Sequence, residues 1–369
     1  MKKIIHVISD TNMGGAGTHL LNLLSCIDRE KFDCSVILPQ GSALAPRVAQ
    51  LNILVMEIRH GADRSLDLSA IPEVTAHIRR QHPHIVHTHG ALYGRLAAAL
   101  CRVPVVVSTR HCADSRQKRA FPPAHLARRW ADSLSNHHTI ATADYVRDIL
   151  IQRGCDPRRI TVIHNGSIPP APLSAREESI LRAELGIKQG VLAVGMVARL
   201  AEGKGQEVFL RAARVCALQN PDIRFFIIGS GPREAELKTL AAHLGLIGIV
   251  RFLGFRADVP RLMHVLNLNV NCSQFSETSS LSLSEGMAAG AVPVVSNCGG
   301  NPFMAGFGQN GMVFPIDDHH KLAKAILTLA EDPSRLASLS LACQARFSDQ
   351  FTAKRMTEQT EALYLRLAK

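Results

Sequence analysis

Short apolar runs recur along this chain, each followed by a stretch of helical periodicity, and that rhythm breaks only once. Runs at 4–8, 34–38, 53–57, 85–88, 103–109, 138–141 and 160–164 are mostly unbroken Val, Ile and Leu rather than alternating, which marks strands buried on both faces. Between them lie amphipathic stretches. In 17–27, for example, Leu20, Leu23, Leu24 and Ile27 share one helical face. A β-α-β-α order calls for a parallel sheet covered by helices on both sides. Three prolines within 166–174 then end the pattern, because proline continues neither a helix nor a central strand. The rhythm resumes with runs at 191–197, 224–228, 249–253, 268–271, 292–296 and 312–314, and with helical stretches that include 207–218 and 233–244. The sequence therefore predicts two doubly wound α/β domains, 1–168 and 169–350. A last helical pattern follows in 351–369, with Met356, Leu363 and Leu367 on one face.

The length of 369 residues suits two domains. With 46% hydrophobic and 20% charged residues, the chain as a whole is neither disordered nor collagen-like. No run of 18 apolar residues is present, so no membrane-spanning helix is predicted. The first apolar run is interrupted by His6 and Ser9 and reaches Asp10 without a small-x-small site, so it reads as a buried strand rather than a signal segment. Nine cysteines without a C-x-x-C pair speak against a disulfide framework or a cysteine zinc site and for a reducing, cytoplasmic setting. The net charge of +11 calls for an anionic partner. It is uneven: residues 1–165 carry 21 basic and 13 acidic side chains, residues 166–369 carry 21 and 18. Nucleic acid is a remote choice, with no recognition motif and 5% aromatic residues.

Three strands run straight into glycine turns. Gly14 and Gly15 precede the first helix, where small residues and free N–H groups suit a phosphate as well as a tight turn. Position 19 is His, so the segment is not a dinucleotide G-x-G-x-x-G loop. Gly229, Ser230 and Gly231 follow one later strand, and Gly254 follows another. A Walker A loop around Gly203 and Lys204 fails, because Ala198 and Gly205 stand where Gly and Ser or Thr are needed. Arg199 and Lys204 instead sit on the loop after the second domain's first strand. They read either as solvated charges or as a fork and a point charge that grip one diphosphate.

The segment 275–290 carries two glutamates eight positions apart. Leu281, Leu283, Met287 and Ala288 give 280–289 an apolar helical face, so Glu285 lies on a helix, about two turns in. Glu277 lies in the preceding loop, beside the capping residues Thr278, Ser279 and Ser280. Carboxylates accept hydrogen bonds from sugar hydroxyls. Taken alone, a capped helix with two ordinary surface glutamates remains the competing reading.

The E-x7-E spacing of Glu277 and Glu285 resembles the signature of retaining glycosyltransferases of family 4, which have the GT-B fold. Further matches follow in the family's order: Gly14-Gly15, His164-Asn165-Gly166, Arg199 with Lys204, Gly229-Ser230-Gly231-Pro232, Phe252-Leu253-Gly254-Phe255, and Pro293-Val294-Val295 before Gly299-Gly300-Asn301. The resemblance implies two Rossmann-like domains facing a central cleft. The N-terminal domain would take the acceptor, the C-terminal domain the nucleotide-sugar donor, and the helix in 351–369 would pack back on the first. It implies transfer of a sugar, from a UDP-sugar by preference, to an acceptor hydroxyl in polysaccharide or glycoconjugate synthesis. Arg199 and Lys204 would hold the diphosphate, Glu285 the ribose, and Glu277 the donor sugar near its anomeric carbon. The backbone of Thr278, Ser279, Ser280 and Leu281 would line sugar and phosphate. Gly14 and Gly15 would let the first loop approach, Gly229 would border the donor, and Phe255 and Arg256 would meet the base. His111 would face the transferred sugar.

His87 and His89 form an H-x-H pair on a strand. With no acidic or cysteine partner nearby in sequence, they read as cleft-lining or core histidines, and no metal or other cofactor is expected. Three departures from the family pattern bear on the donor sugar rather than the nucleotide: Thr278, Ser279 and Ser280 where a glycine is usual, Gly286 for alanine, and Phe303 for an acid. A nucleotide-sugar-binding protein without catalysis would show damage at the diphosphate or carboxylate positions. A 2-epimerase would lack the E-x7-E arrangement with Arg199 and Lys204. Finally, 110–130 contains Arg110, Arg116, Lys118, Arg119, Arg128 and Arg129 against Asp114, with Leu126 and Trp130 one turn apart. It reads as a basic helix for an anionic membrane surface and a lipid-linked acceptor, or as an ordinary helix burying Trp130.

Overall fold

The computed structural model describes residues 1–111 and 135–368. The chain forms two compact units, Met1–Gly166 with Ala353–Lys369, and Ser167–Thr352. Of the basic segment 110–130, only Arg110 and His111 lie within the described residues.

In the first unit the strands are β1 (Lys2–Ile8), β2 (Phe32–Pro39), β3 (Leu54–Ile58), β4 (Ile85–His89), β5 (Val105–Arg110), β6 (His138–Ala141) and β7 (Ile160–Val162). Among the described residues they make one parallel sheet in the order β3-β2-β1-β4-β5-β6-β7. Successive residues of β1 serve opposite faces, as the period of two requires. Ile5 and Val7 pack with Val74, Ile78 and Tyr93. Ile4 packs with Leu23, Phe32, Met356 and Tyr364. The last two come from the helix Ala353–Leu367, which lies against the helix Gly15–Cys26. β1 begins at Lys2, ahead of the apolar run, because Lys2 and Lys3 pair with Phe32 and Asp33. A hydropathy pattern misses such half-exposed strand ends.

In the second unit the strands are β8 (Leu192–Val197), β9 (Ile223–Ile228), β10 (Val250–Gly254), β11 (Leu268–Asn271), β12 (Val292–Ser296) and β13 (Met312–Phe314). Among the described residues they form a parallel sheet in the order β10-β9-β8-β11-β12-β13. Its larger core joins Val194, Met196, Phe209, Phe225, Ile227, Leu268 and Ile326. After the prolines, Ser174 starts the helix Ala175–Glu184 with a reciprocal cap: its hydroxyl accepts from the Glu177 N–H, and the Glu177 carboxylate accepts from the Ser174 N–H. In both sheets the strand order reverses beside the first strand, at β1/β4 and at β8/β11. Because all strands are parallel, the loops that leave their C-terminal ends share one edge, where open α/β sheets bind ligands.

No helix among the described residues is long and apolar enough to cross a membrane. The described cysteines are unpaired thiols, with Cys216, Cys272, Cys298 and Cys343 buried.

Candidate active site

The second unit gathers most of the sequence-predicted residues at the C-terminal edge of its sheet. Arg199 and Lys204 lie on the loop after β8, and Glu277 on the loop after β11, so they flank the switch point. Lys204 Nζ is 2.9 Å from Glu277 Oε2. The same oxygen accepts from Ser273 Oγ at 2.6 Å and from Asn271 Nδ2 at 3.3 Å. Burial pushes the Glu277 carboxyl up, but the Lys204 charge and the three hydrogen bonds outweigh it and hold the group below the usual carboxylate range. Oε2 is thus fully engaged, whereas Oε1 has no hydrogen bond among the described residues and remains to accept from a ligand.

A buried polar scaffold supports this carboxylate. Asn301 Nδ2 donates to Asn271 Oδ1 (3.2 Å) and to Ser296 Oγ (3.3 Å). Ser296 Oγ donates to the Ser273 carbonyl (2.6 Å), and the Ser273 N–H to Asn271 Oδ1 (2.9 Å). The Gly300 N–H reaches the Glu277 carbonyl at 3.2 Å. Sequence reasoning placed Asn301 only within a motif and missed Asn271 and Ser273. Their one local signal is that polar residues end the apolar run of β11.

The loop that carries Lys204 is held by a close approach. Gly205 has φ +72°, and a Cβ there would collide with the Cys272 carbonyl, so only glycine brings the two loops together. Gln206 Nε2 donates to the Arg199 carbonyl at 2.9 Å and pins the backbone at that position. The Arg199 side chain is exposed, and no described residue forms an ion pair with it.

The helix Leu281–Ala289 starts at the N-cap Ser280, whose hydroxyl accepts from the Leu283 N–H. Thr278 and Ser279 are buried in the loop before it, and Leu281 is its first residue. Glu285, in the second turn, is half-buried and has no hydrogen-bond partner among the described residues. Burial pushes its carboxyl up to about 7. The Gly229 N–H donates to the Gly254 carbonyl (2.7 Å) and ties two neighbouring strand ends together. Phe255 is 71% exposed beyond them. Arg256, expected at a base, is held by Asp258 (2.7 Å) and Glu184 (2.8 Å). Phe303, at the position where the family prefers an acid, lies 4.8 Å from the Arg346 guanidinium.

In the first unit, Gly14 caps the helix Gly15–Cys26, and a Cβ on Gly15 would meet nothing. Around that helix start lies a cluster that the sequence did not reveal. His6 and His87 are register partners on β1 and β4, and His89 ends β4. His19 comes from the helix and His111 follows β5. His6 Nδ1 is 3.2 Å from His89 Nε2, and His89 Nδ1 is 3.2 Å from His111 Nε2. The amide oxygen of Asn165 takes a hydrogen bond from His19 Nδ1 (2.9 Å), and His87 lies between Tyr364 Oη (2.5 Å) and Thr109 Oγ1 (2.7 Å). Burial, reinforced for His6 by His19, lowers His6 to about 3, and burial lowers His19 to about 4. His87, His89 and His111 are held well below the usual value by burial and by one another or by His19. The cluster is therefore uncharged at neutral pH.

Two doubly wound parallel sheets give the chain the GT-B fold, with Arg199 and Lys204 on one loop of the second unit, Glu277 on another and Glu285 on the helix that follows it, and the family matches make it a glycosyltransferase. Two family models divide the sequence between them: the one described as Glycosyltransferase Family 4 matches residues 13–167, and the one described as Glycosyl transferases group 1 matches residues 177–345. The chain belongs to glycosyltransferase family 4. It is 24% identical to the UDP-Gal:alpha-D-GlcNAc-diphosphoundecaprenol alpha-1,3-galactosyltransferase of Escherichia coli, over 98% of this chain and 96% of that protein. It is also 24% identical to the D-inositol 3-phosphate glycosyltransferase of Streptomyces scabiei, over 92% and 84%. Among solved structures, Anabaena Alr3699/HepE in complex with UDP and glucose superposes with a TM-score of 0.86 at 23% identity, covering 99% of this chain and all of that one. A glycosyltransferase from Rickettsia africae gives 0.83 at 17% identity, covering 100% and 99%.

Proposed function

We propose that this protein transfers a sugar from a nucleotide-sugar donor to an acceptor hydroxyl with retention at the anomeric carbon. The observation that carries the reading is the Glu277 carboxylate, one oxygen saturated by Lys204, Ser273 and Asn271 and the other left to accept hydrogen bonds from a ligand. Arg199 and Lys204 bind the diphosphate and offset the charge that grows on it as the sugar leaves. Glu277 Oε1 orients the donor sugar, and Glu285 accepts from the ribose hydroxyls. Gly14 and Gly15 leave room at their helix N-terminus for the acceptor side of the reaction, and His111 orients groups around the transferred sugar. In the reaction the bond from the anomeric carbon to the diphosphate oxygen breaks and its electron pair leaves with the nucleoside diphosphate, a new bond to the acceptor oxygen forms, and the acceptor hydroxyl proton passes to the departing diphosphate.

A UDP-sugar donor is supported by the relative named for UDP-Gal and by the HepE complexes with UDP. The acceptors named in the two relatives both carry phosphate, one of them lipid-linked. The excess of basic side chains in residues 1–165 supports a phosphate-bearing acceptor here as well, in glycoconjugate or polysaccharide synthesis at a membrane surface. The test is thermal-shift screening against UDP-, GDP- and ADP-sugars, then transfer assays with the product's anomeric configuration read by NMR. Stabilisation by one nucleotide class and a retained configuration are expected. No shift with any nucleotide sugar, or full transfer by both Glu277→Ala and Lys204→Ala, would overturn the reading.

A further inference from the structure

Three ring nitrogens converge beside the start of the first helix. They belong to His19, on that helix, to His89, at the end of β4, and to His111, after β5, and all lie within 4.8 Å of one another. His19 uses Nδ1 to bond the Asn165 amide oxygen. An amide oxygen only accepts, so the proton sits on Nδ1 and the Nε2 lone pair is left for a ligand. His89 has its Nε2 backed by His6 Nδ1 and turns Nδ1 toward His111 Nε2 at 3.2 Å. Two nitrogens bound to one tetrahedral ion at about 2.1 Å stand about 3.4 Å apart. Metal-bound imidazoles typically have their second nitrogen held by an outer polar group, which fixes tautomer and ring orientation. His19 and His89 both show that arrangement, held by Asn165 and His6.

We propose that His19, His89 and His111 form a three-imidazole site for one divalent transition ion of the zinc type, with a fourth position left to water. The ligand set is nitrogen only among the described residues, which suits Zn²⁺, Co²⁺ or Ni²⁺ and not the oxygen-seeking Mg²⁺ or Ca²⁺. His87 stays outside the set, because Tyr364 and Thr109 occupy both its nitrogens. The ion is not part of the transfer described above. It takes up His111, so its binding slows transfer. That consequence alone rests on the functional reading, whereas the binding itself does not.

The test titrates the full chain with Co²⁺ in the absence of any sugar nucleotide and follows the visible absorption of tetrahedral cobalt. One equivalent is expected to give an intense band that Zn²⁺ bleaches by displacement. His19→Ala should abolish the band with the far-UV spectrum unchanged. Asn165→Ala, which keeps all three ligands, should weaken binding about 10–100-fold. His320→Ala, at the partly exposed His319–His320 pair whose rings lie 4.2 Å apart, should leave the band intact. No tetrahedral band, a band that survives His19→Ala, or one lost in His320→Ala would overturn the proposal. Zn²⁺ binding without inhibition would leave the site standing and count against the role of His111 in transfer.

Discussion

Lys204 and Glu277 stand 73 positions apart in sequence, and the ammonium nitrogen of one lies 2.9 Å from a carboxylate oxygen of the other. The contact joins the loops after β8 and β11, the two strands between which the order of the second sheet reverses. It places a cation and an anion together where the proposed diphosphate and donor sugar would meet. The lysine charge also keeps the glutamate ionised despite its burial.

Breaking this pair should cost stability as well as activity. Removing one partner of a buried pair costs about 3–5 kcal/mol. The Lys204 side chain is 37% exposed, so water compensates in part, and about 1–3 kcal/mol is expected for Lys204→Ala. The double variant Lys204→Ala with Glu277→Gln should regain most of that loss, while all variants lose transfer. Urea denaturation of the full double-mutant cycle measures the coupling. A Lys204→Ala protein as stable as the wild type would mean the pair contributes nothing to folding.

Ser273→Ala tests the scaffold behind Glu277. The lost hydrogen bond is 2.6 Å long and reaches a charged oxygen, so a fall of about tenfold in kcat/KM is expected. That bond holds the Glu277 pKa down, and removing it lets the pKa rise. The acidic limb of the pH profile should therefore move to higher pH, with a larger loss at pH 5 than at pH 8. An equal loss at every pH would assign Ser273 a purely structural part.

Glu285 makes an opposite prediction for stability. Its folded-state pKa is raised from 4.5 to about 7 by burial. The folded protein then binds the extra proton between those values, so the contribution to stability declines as pH rises from 4.5 through 7 and stays low above. The full effect is at most about 3 kcal/mol. Glu285→Gln carries no charge to bury and should unfold at a higher temperature than the wild type at pH 8, with little difference at pH 4. The same variant should bind the nucleotide more weakly at pH 8. Calorimetric melting at both pH values and a nucleotide titration separate the two effects.

Tyr364→Phe removes the hydroxyl that lies 2.5 Å from His87 Nδ1, with both groups fully buried. One unmatched imidazole nitrogen in the core costs about 1–3 kcal/mol. A drop of several degrees in melting temperature is expected, because the helix Ala353–Leu367 loses its polar tie to β4. An unchanged melting temperature would show that the bond between Tyr364 and His87 Nδ1 contributes nothing to folding.

Much of this was legible along the chain, because strands buried on both faces announce themselves as unbroken apolar runs and the prolines after Gly166 interrupt them. Loop chemistry was legible where it is contiguous: Glu277 and Glu285 sit on one short segment, and Arg199 and Lys204 on another. Strand order was not, since β1 pairs with β4 and β8 with β11 across long stretches of intervening chain. Nor was the commitment of Arg256 to Glu184, 72 positions earlier in the chain. The partners that tune each group also come from distant elements: Asn301 behind Asn271, Asn165 behind His19, and five histidines brought together by sheet register and one helix. The sequence by itself determined two wound sheets and which loops would carry charge. Only the tertiary structure decided which charges meet and which imidazoles remain neutral, because burial and distance are properties of the folded chain.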